Sequence, residues 1–371
     1  MLLTAFNNMP DYRRNQGKVY NLAPLLTIIC IAILARANEY VEIASFVDEK
    51  LKVLKKLFDL KWKKAPSYAT IRRVCIWSSK QTLEDIFRQY ASECMVTKGR
   101  HKLVALDGKV LRGSNNQTEE GNAIQVISAF LVEHQIVLGQ EEIDGEKTNE
   151  IPKVRKLIKE LGIEDHVFTM DALHCQYETL QEVVDSGNNA ISQVKDNQKK
   201  LHKLCQKMTN GWRPIEQNTQ TNYDRNRQET RVAKIYRKNQ YLRDHIDEKW
   251  HKNIECTIKI ERTRLVFSTK KQKWEKSYDE AYYIGTKLFT AKDANVYIRE
   301  HWGIENRLHH VRDRSMREDD CKISFGAGTL SKLRSFVLNI LRANGVKNIK
   351  NELFKNSVNL NRITKYRFLF N

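Results

Sequence analysis

The chain of 371 residues is long enough for one large domain with insertions, or for two to three ordinary ones. Its 64 Lys and Arg outnumber 45 Asp and Glu, giving a formal charge of +19 and a pI near 9.5, a field that favours polyanions and disfavours acidic partners. Seven cysteines, scattered singly with no Cys-x-x-Cys pair, argue for reduced thiols in a cytoplasm and against a disulfide frame or a structural zinc.

Residues 1–97 read as a helical N-terminal domain. The apolar run "LAPLLTIICIAILA" from Leu22 to Ala35 is shorter than the roughly 20 residues of a bilayer span, so it predicts a buried helix and no membrane partner. The basic "DYRRNQGK" before it and the small residues after it imitate an export signal, but its late position and Pro24 do not suit one. "VEIASFVDEKLKVLKKLF" predicts a second helix, and Ser67 can cap a third over Tyr68–Trp77. That third helix carries Arg72 and Arg73. It reads either as a recognition helix, able to bind DNA ends, or as the solvated basic face of a small bundle.

From Lys102 the period changes, and residues 98–195 read as the first part of an α/β core. Strands are predicted over Lys102–Leu106, Ala123–Val132 and Ile136–Ile143. Thr148 can cap a helix in "NEIPKVRKLIKELG", whose Ile151, Val154, Leu157, Ile158 and Leu161 share a face. "HVFTMD" is a further strand, "ALHCQYETLQEVV" continues as a helix, and Asn189–Lys195 is a fifth strand. That order predicts one mixed central sheet. Two of its strands, "LVALD" and "HVFTMD", end in carboxylates, Asp107 and Asp171.

Residues 196–289 interrupt the core as a basic, β-rich insertion. "TRVAKIYRKNQYLR" and "NIECTIKIERTRLVF" alternate as exposed strands do, with cations on one set of positions. Trp212, Tyr223, Tyr236, Tyr241, Trp250 and Trp274 are interleaved with them, as on surfaces that bind nucleic acid. Arg231, Lys234 and Arg237 are the expected phosphate contacts; a merely solvated face is the alternative.

Residues 290–371 hold a final core helix, capped by Thr290, and C-terminal helices. At 100° per residue Ala294, Ile298, His301, Trp302, Glu305 and Leu308 fall within about 60° of one direction, with Glu305 near its centre. An ionised glutamate on an inward stripe is costly unless it binds a cation or pairs with Arg299 or Arg312. Sheet edge and helix together can gather Asp107, Asp171 and Glu305. Unpaired, such a cluster would repel itself, whereas Mg²⁺, or Mn²⁺ in its place, takes carboxylate oxygens and keeps positions open for phosphate. Two such ions about 3.5–4 Å apart suit phosphodiester cleavage and strand transfer.

"ALDGKVLRGS", "TMDALHCQ" and "HWGIENRLHH...REDD", in that order, resemble the insertion-sequence DDE transposases, in particular the group that includes bacterial H-repeat-associated proteins. "DYRRNQGKVYNLAPLLTIICIAILA" through "PSYATIRRV" resembles that group's associated N-terminal domain, so the resemblance spans nearly the whole chain. It implies an RNase H-like mixed-sheet core with a β-rich insertion before the last catalytic helix. It implies Asp107, Asp171 and Glu305 as catalytic and metal-binding residues, and cleavage and joining of DNA at element ends. The implied partners are double-stranded DNA, as terminal repeats and target, and a homo-oligomer holding paired ends. Such a protein would be cytoplasmic and meet the nucleoid when bound.

Relatives of this kind carry Tyr, Arg and Lys near the glutamate. Tyr297, Arg299 and Arg312 are the nearest equivalents here, although His301 stands where an Arg is common and Arg312 where a Lys is expected. His174 follows Asp171 by three residues, and core packing is its default role. Two other readings are a nuclease with the same core that cuts without joining, and a non-catalytic protein that occupies DNA ends.

Overall fold

A computed structural model describes residues 1–11, 13–15, 18–95, 102–114, 123–143 and 150–370. The chain divides into two compact units: Met1–Arg100, Gly108–Lys153 and Glu305–Asn371 form the first, and His101–Asp107 with Val154–Ile304 the second. In chain order the elements are α1 (Leu2–Asn7), α2 (Leu22–Leu34), α3 (Tyr40–Phe58), α4 (Tyr68–Trp77), α5 (Lys80–Cys94), β1 (Leu103–Val110), β2 (Gln125–Leu131), β3 (Ile136–Ile143), α6 (Glu150–Leu161), β4 (Val167–Met170), α7 (Tyr177–Asp185) and β5 (Asn189–Val194). There follow α8 (Lys199–Gly211), β6 (Glu216–Asp224), β7 (Arg227–Arg237), α9 (Gln240–His245), α10 (Glu248–Asn253), β8 (Cys256–Ser268), β9 (Lys273–Gly285), α11 (Ala291–His301), α12 (Ala327–Ala343) and α13 (Ile349–Val358).

The first unit is built around two apolar helices. α2 is apolar on every side, and Leu25–Leu34 are all buried, as a helix without a polar face must be. α12 is buried along nearly its whole length and packs on α2, α4, α5 and β3, so the C-terminal stretch shares a core with the N-terminal helices. Phe336 of α12 meets Phe6, Phe87 and Tyr90, with ring centroids at 5.2, 4.8 and 5.2 Å. Ser67 caps α4 by accepting from the Thr70 amide, as its position predicts. The expected Thr148 cap lies outside the described residues.

The second unit is a mixed sheet. β1, β4 and β5 run parallel in register, Leu103↔Val167 to Leu106↔Met170 and Val167↔Asn189 to Met170↔Ser192. β9 pairs antiparallel to β5, and β8, β7 and β6 follow as an antiparallel meander. The parallel strands are continuous apolar runs because both of their faces are covered; Leu103, Val104, Ala105 and Leu106 are all buried. α7 supplies the crossover that parallel β4 and β5 require. β1 continues past Asp107 into the first unit, where β2 and β3 pair as a hairpin.

Three expectations change. β1 does not end at Asp107 but runs on to Val110, because alternation of inward and outward residues replaces the all-buried pattern there. The stretch after Asp171 is a turn, and α7 begins only at Tyr177. The insertion is β-rich but also contains α8, α9 and α10; "KNQYLR" leaves the strand because Asn239 caps α9 through the Leu242 amide.

Candidate active site

Asp107 and Asp171 each follow the last registered pair of two neighbouring parallel strands, Leu106↔Met170. Both carboxylates therefore leave the second unit's sheet at the same edge, where open α/β sheets place their ligands. The Asp171 Oδ1 accepts from the backbone amides of Leu173 (3.0 Å) and His174 (3.4 Å), which forms the turn after β4 and fixes the carboxylate. Both aspartates are partly exposed.

α11 packs on β4, and His301 at its end joins them through an Nδ1 to Thr169 Oγ1 contact of 3.0 Å. Burial pushes the His301 imidazole pKa down, while the charges of Asp107 and Asp171 act in the opposite sense and His174 adds to the fall. The two aspartates, His301 and the buried His174 are thus electrostatic neighbours within one unit. His174 is interior, as its default role predicts. His301 as the clamp between helix and strand was not foreseen, although its place on the inward stripe was the available signal.

The chain stays helical after His301, but in wider turns at Glu305–His309 and Val311–Ser315, where Met316 N donates to Val311 O (3.1 Å) five residues back. Wide turns shift the phase of every later residue and often mark functional sites. Ala294, Ile298 and Leu308 are buried as the stripe predicts, but Trp302 is 58% exposed and Glu305 is exposed. Glu305 is therefore not the core of a buried ion pair. Its carboxylate lies within 4.8 Å of a ring nitrogen of buried His309.

Arg312 was expected at a DNA surface, and the structure corrects this. It is 1% exposed and donates to Glu318 (2.6 Å), to the Ser331 carbonyl (3.2 Å) and to Ser335 Oγ (3.2 Å). Glu318 also takes Lys109 (3.0 Å) and Arg334 (3.6 Å), and Lys109 meets Asp313. Burial raises the Glu318 carboxyl pKa, but Arg312, Lys109 and Arg334 outweigh it and hold the group far below the usual range. Lys109 stands two residues after Asp107, so this network pins the strand that carries the first aspartate. Gly113 belongs to the same fit: a Cβ there would fall 1.7 Å from the Cys321 carbonyl oxygen.

The other expected cations are scattered. Arg72 is stacked on Phe325 (5.0 Å), and Arg73 is exposed and bonded to Ala69 O (3.2 Å). Arg231 is buried against Glu229 (2.7 Å), Lys234 pairs with Glu261 (2.7 Å), and Arg237 is exposed. Tyr297 is half-buried beside Phe289, with its phenol pKa raised by burial, and Arg299 is exposed. No helix among the described residues is long and apolar enough to cross a membrane.

Residues 98–334 match the family described as Transposase DDE domain, and residues 3–91 match the family described as DDE_Tnp_1-associated. The chain is 33% identical over 353 residues to "Putative transposase YncI" of Escherichia coli O157:H7, covering 92% of this chain and 87% of that one. It is 29% identical over 350 residues to "H repeat-associated putative transposase YhhI" of Escherichia coli (strain K12), covering 92% and 90%. A solved piggyBac transposase synaptic complex with hairpin DNA aligns over 99% of this chain and 78% of that one, at 10% identity and a TM-score of 0.43. The chain belongs to the DDE transposase family, in the group of H-repeat-associated transposases.

Proposed function

We propose that the chain cuts DNA at the ends of an insertion element and joins those ends to target DNA, with Asp107, Asp171 and Glu305 as the catalytic carboxylates. The observation that carries this reading is the exit of Asp107 and Asp171 from registered parallel strands at one sheet edge, with α11 tied to that edge by His301 and Glu305 one turn further along the chain. The order β3-β2-β1 followed by parallel β4 and β5 supports an RNase H-like core.

The donor set suits a hard cation, since all three residues offer carboxylate oxygens, with Mg²⁺ favoured and Mn²⁺ a substitute. When bound, such ions activate a water or a 3′-hydroxyl and stabilise the leaving oxyanion of an in-line displacement. The chain's own residues hold these groups in place. The Leu173 and His174 amides orient Asp171, His301 ties α11 to β4, and the Glu318 network fixes the continuation of β1. The DNA partner follows from the +19 charge and the family, and the work of joining two ends calls for a homo-oligomer that meets the nucleoid when bound. Residues 1–97, 98–195, 196–289 and 290–371 would then serve as end-binding helices, first core part, DNA-facing insertion and catalytic helix.

The test is a plasmid carrying the element's own terminal repeats, incubated with the protein, Mg²⁺ and a target plasmid. The expected products are free element ends and ends joined to the target. Cleavage without joined products would mean a nuclease, and no cleavage with tight end binding would mean a non-catalytic occupant of DNA ends.

A further inference from the structure

Gly108 follows Asp107 inside β1, and its place there needs a reason, because glycine weakens a strand and often marks a point where another group comes close. The group is a carboxylate. A Cβ on Gly108 would fall 2.6 Å from Glu150 Oε1 and 3.4 Å from Glu150 Cδ. The φ of Gly108 is not positive, so the backbone conformation does not call for glycine and the approach of Glu150 does.

Glu150 opens α6 and is 7% exposed. The helix dipole favours an acidic residue in the first turn, but a side chain in solvent has that interaction too, without burial and without a glycine opposite. An ionised carboxylate drawn out of water is costly unless its charge is met. The strand pattern that singles out Asp107 and Asp171 passes over Glu150, because this residue starts a helix instead of ending a strand.

Successive residues of a strand face opposite sides, so Asp107 and Lys109 leave β1 on one side, where Lys109 meets Glu318 (3.0 Å), and Glu150 comes over Gly108 from the other. Both sides reach the same strand edge. β4 is in register with β1 only as far as Leu106↔Met170, so from Asp107 onward β1 runs on without β4 beside it. The Glu150 carboxylate stands one residue along that open edge from the first aspartate.

We infer that Glu150 is a fourth metal-binding carboxylate, which joins Asp107 in holding a divalent cation at the edge of β1 that β4 leaves open, and that residue 108 is glycine to admit it. Charge points the same way. Two divalent cations bring four positive charges and Asp107, Asp171 and Glu305 three negative ones, so a fourth carboxylate completes the balance before a DNA phosphate arrives. Its oxygens are the donors that Mg²⁺ and Mn²⁺ take. The inference rests on the proposed reading of Asp107 as a cation ligand and adds a residue to the three expected there.

The experiment titrates the DNA-free full chain with Mn²⁺ and follows the ion by electron paramagnetic resonance, with thermal melts of every variant to establish that it is folded. Glu150→Gln keeps the size of the side chain and removes its charge. It is expected to weaken Mn²⁺ binding at least about tenfold, since even an outer-shell partner of a metal ligand is worth 10- to 100-fold. Gly108→Ala leaves every carboxylate in the chain but pushes Glu150 aside, so it is expected to weaken binding as well, and the two changes together no more than Glu150→Gln alone. Glu160→Gln, at the far end of α6, is expected to leave the affinity unchanged.

Wild-type Mn²⁺ affinity in folded Glu150→Gln, while Asp107→Asn loses the ion, overturns the inference and leaves the metal reading of Asp107 intact. So does an equal loss from Glu160→Gln, which marks an effect of net charge alone. Should Glu150→Gln not fold, Gly108→Ala decides by the same measure, and wild-type affinity in that variant overturns the inference. A wild-type chain with no saturable Mn²⁺ site overturns both.

Discussion

Asp107→Asn, Asp171→Asn and Glu305→Gln are each expected to lower strand cleavage at least about a thousandfold while leaving duplex affinity within about threefold of wild type. Cations bound by carboxylates supply several kcal/mol of transition-state stabilisation, and each 1.4 kcal/mol is about tenfold in rate. Phosphate contacts come from Lys and Arg and set affinity separately. Single-turnover cleavage with Mg²⁺ beside anisotropy without metal separates the two effects. A variant that cleaves within tenfold of wild type removes its residue from the catalytic set.

Glu318→Gln is expected to cost about 3–5 kcal/mol of stability, because it leaves Arg312, Lys109 and Arg334 buried together around a neutral amide. The Glu318 carboxyl is held far below its ordinary pKa. Its contribution is therefore complete above the unfolded value of about 4.3 and disappears only as pH falls through the folded value. Urea unfolding of wild type and variant should show a constant gap from about pH 5 to 8 that narrows in strong acid. A gap below about 1 kcal/mol at neutral pH would mean that the cluster is hydrated and contributes little. Replacing Arg312 and Glu318 together by Met should cost less than Glu318→Gln alone, since one fewer buried cation then loses its carboxylate, while Lys109 keeps Asp313 and Arg334 keeps its bonds to Asn38.

The sequence made the parallel core legible because its signals are local. "LVALD" and "HVFTMD" are continuous apolar runs that only a doubly covered strand needs, and Ser67 and Thr290 announce their helices by side-chain caps that form as expected. What failed depends on partners far along the chain or on departures from ideal periods. The stripe through Glu305 assumed an unbroken helix of 3.6 residues per turn, but the regular helix ends at His301, and Trp302 and Glu305 beyond it are exposed. Arg312 looked like a surface cation because its partner, Glu318, comes from a turn with no periodicity to place it. Arg231 looked exposed for a related reason: alternation shows which residues share a face but not that α11 packs against that face of β7. The helix expected directly after Asp171 was lost to the carboxylate itself, which takes the Leu173 and His174 amides into a turn.

The most direct test of the central claim is titration of the DNA-free chain with Mn²⁺, followed by electron paramagnetic resonance. If Asp107, Asp171 and Glu305 hold a cation together, wild type binds Mn²⁺ at a saturable site, and Asp107→Asn, Asp171→Asn and Glu305→Gln each weaken it by at least about tenfold, since even losing an outer-shell partner of a metal ligand costs 10- to 100-fold. Mn²⁺ bound equally well by all four proteins would contradict the account.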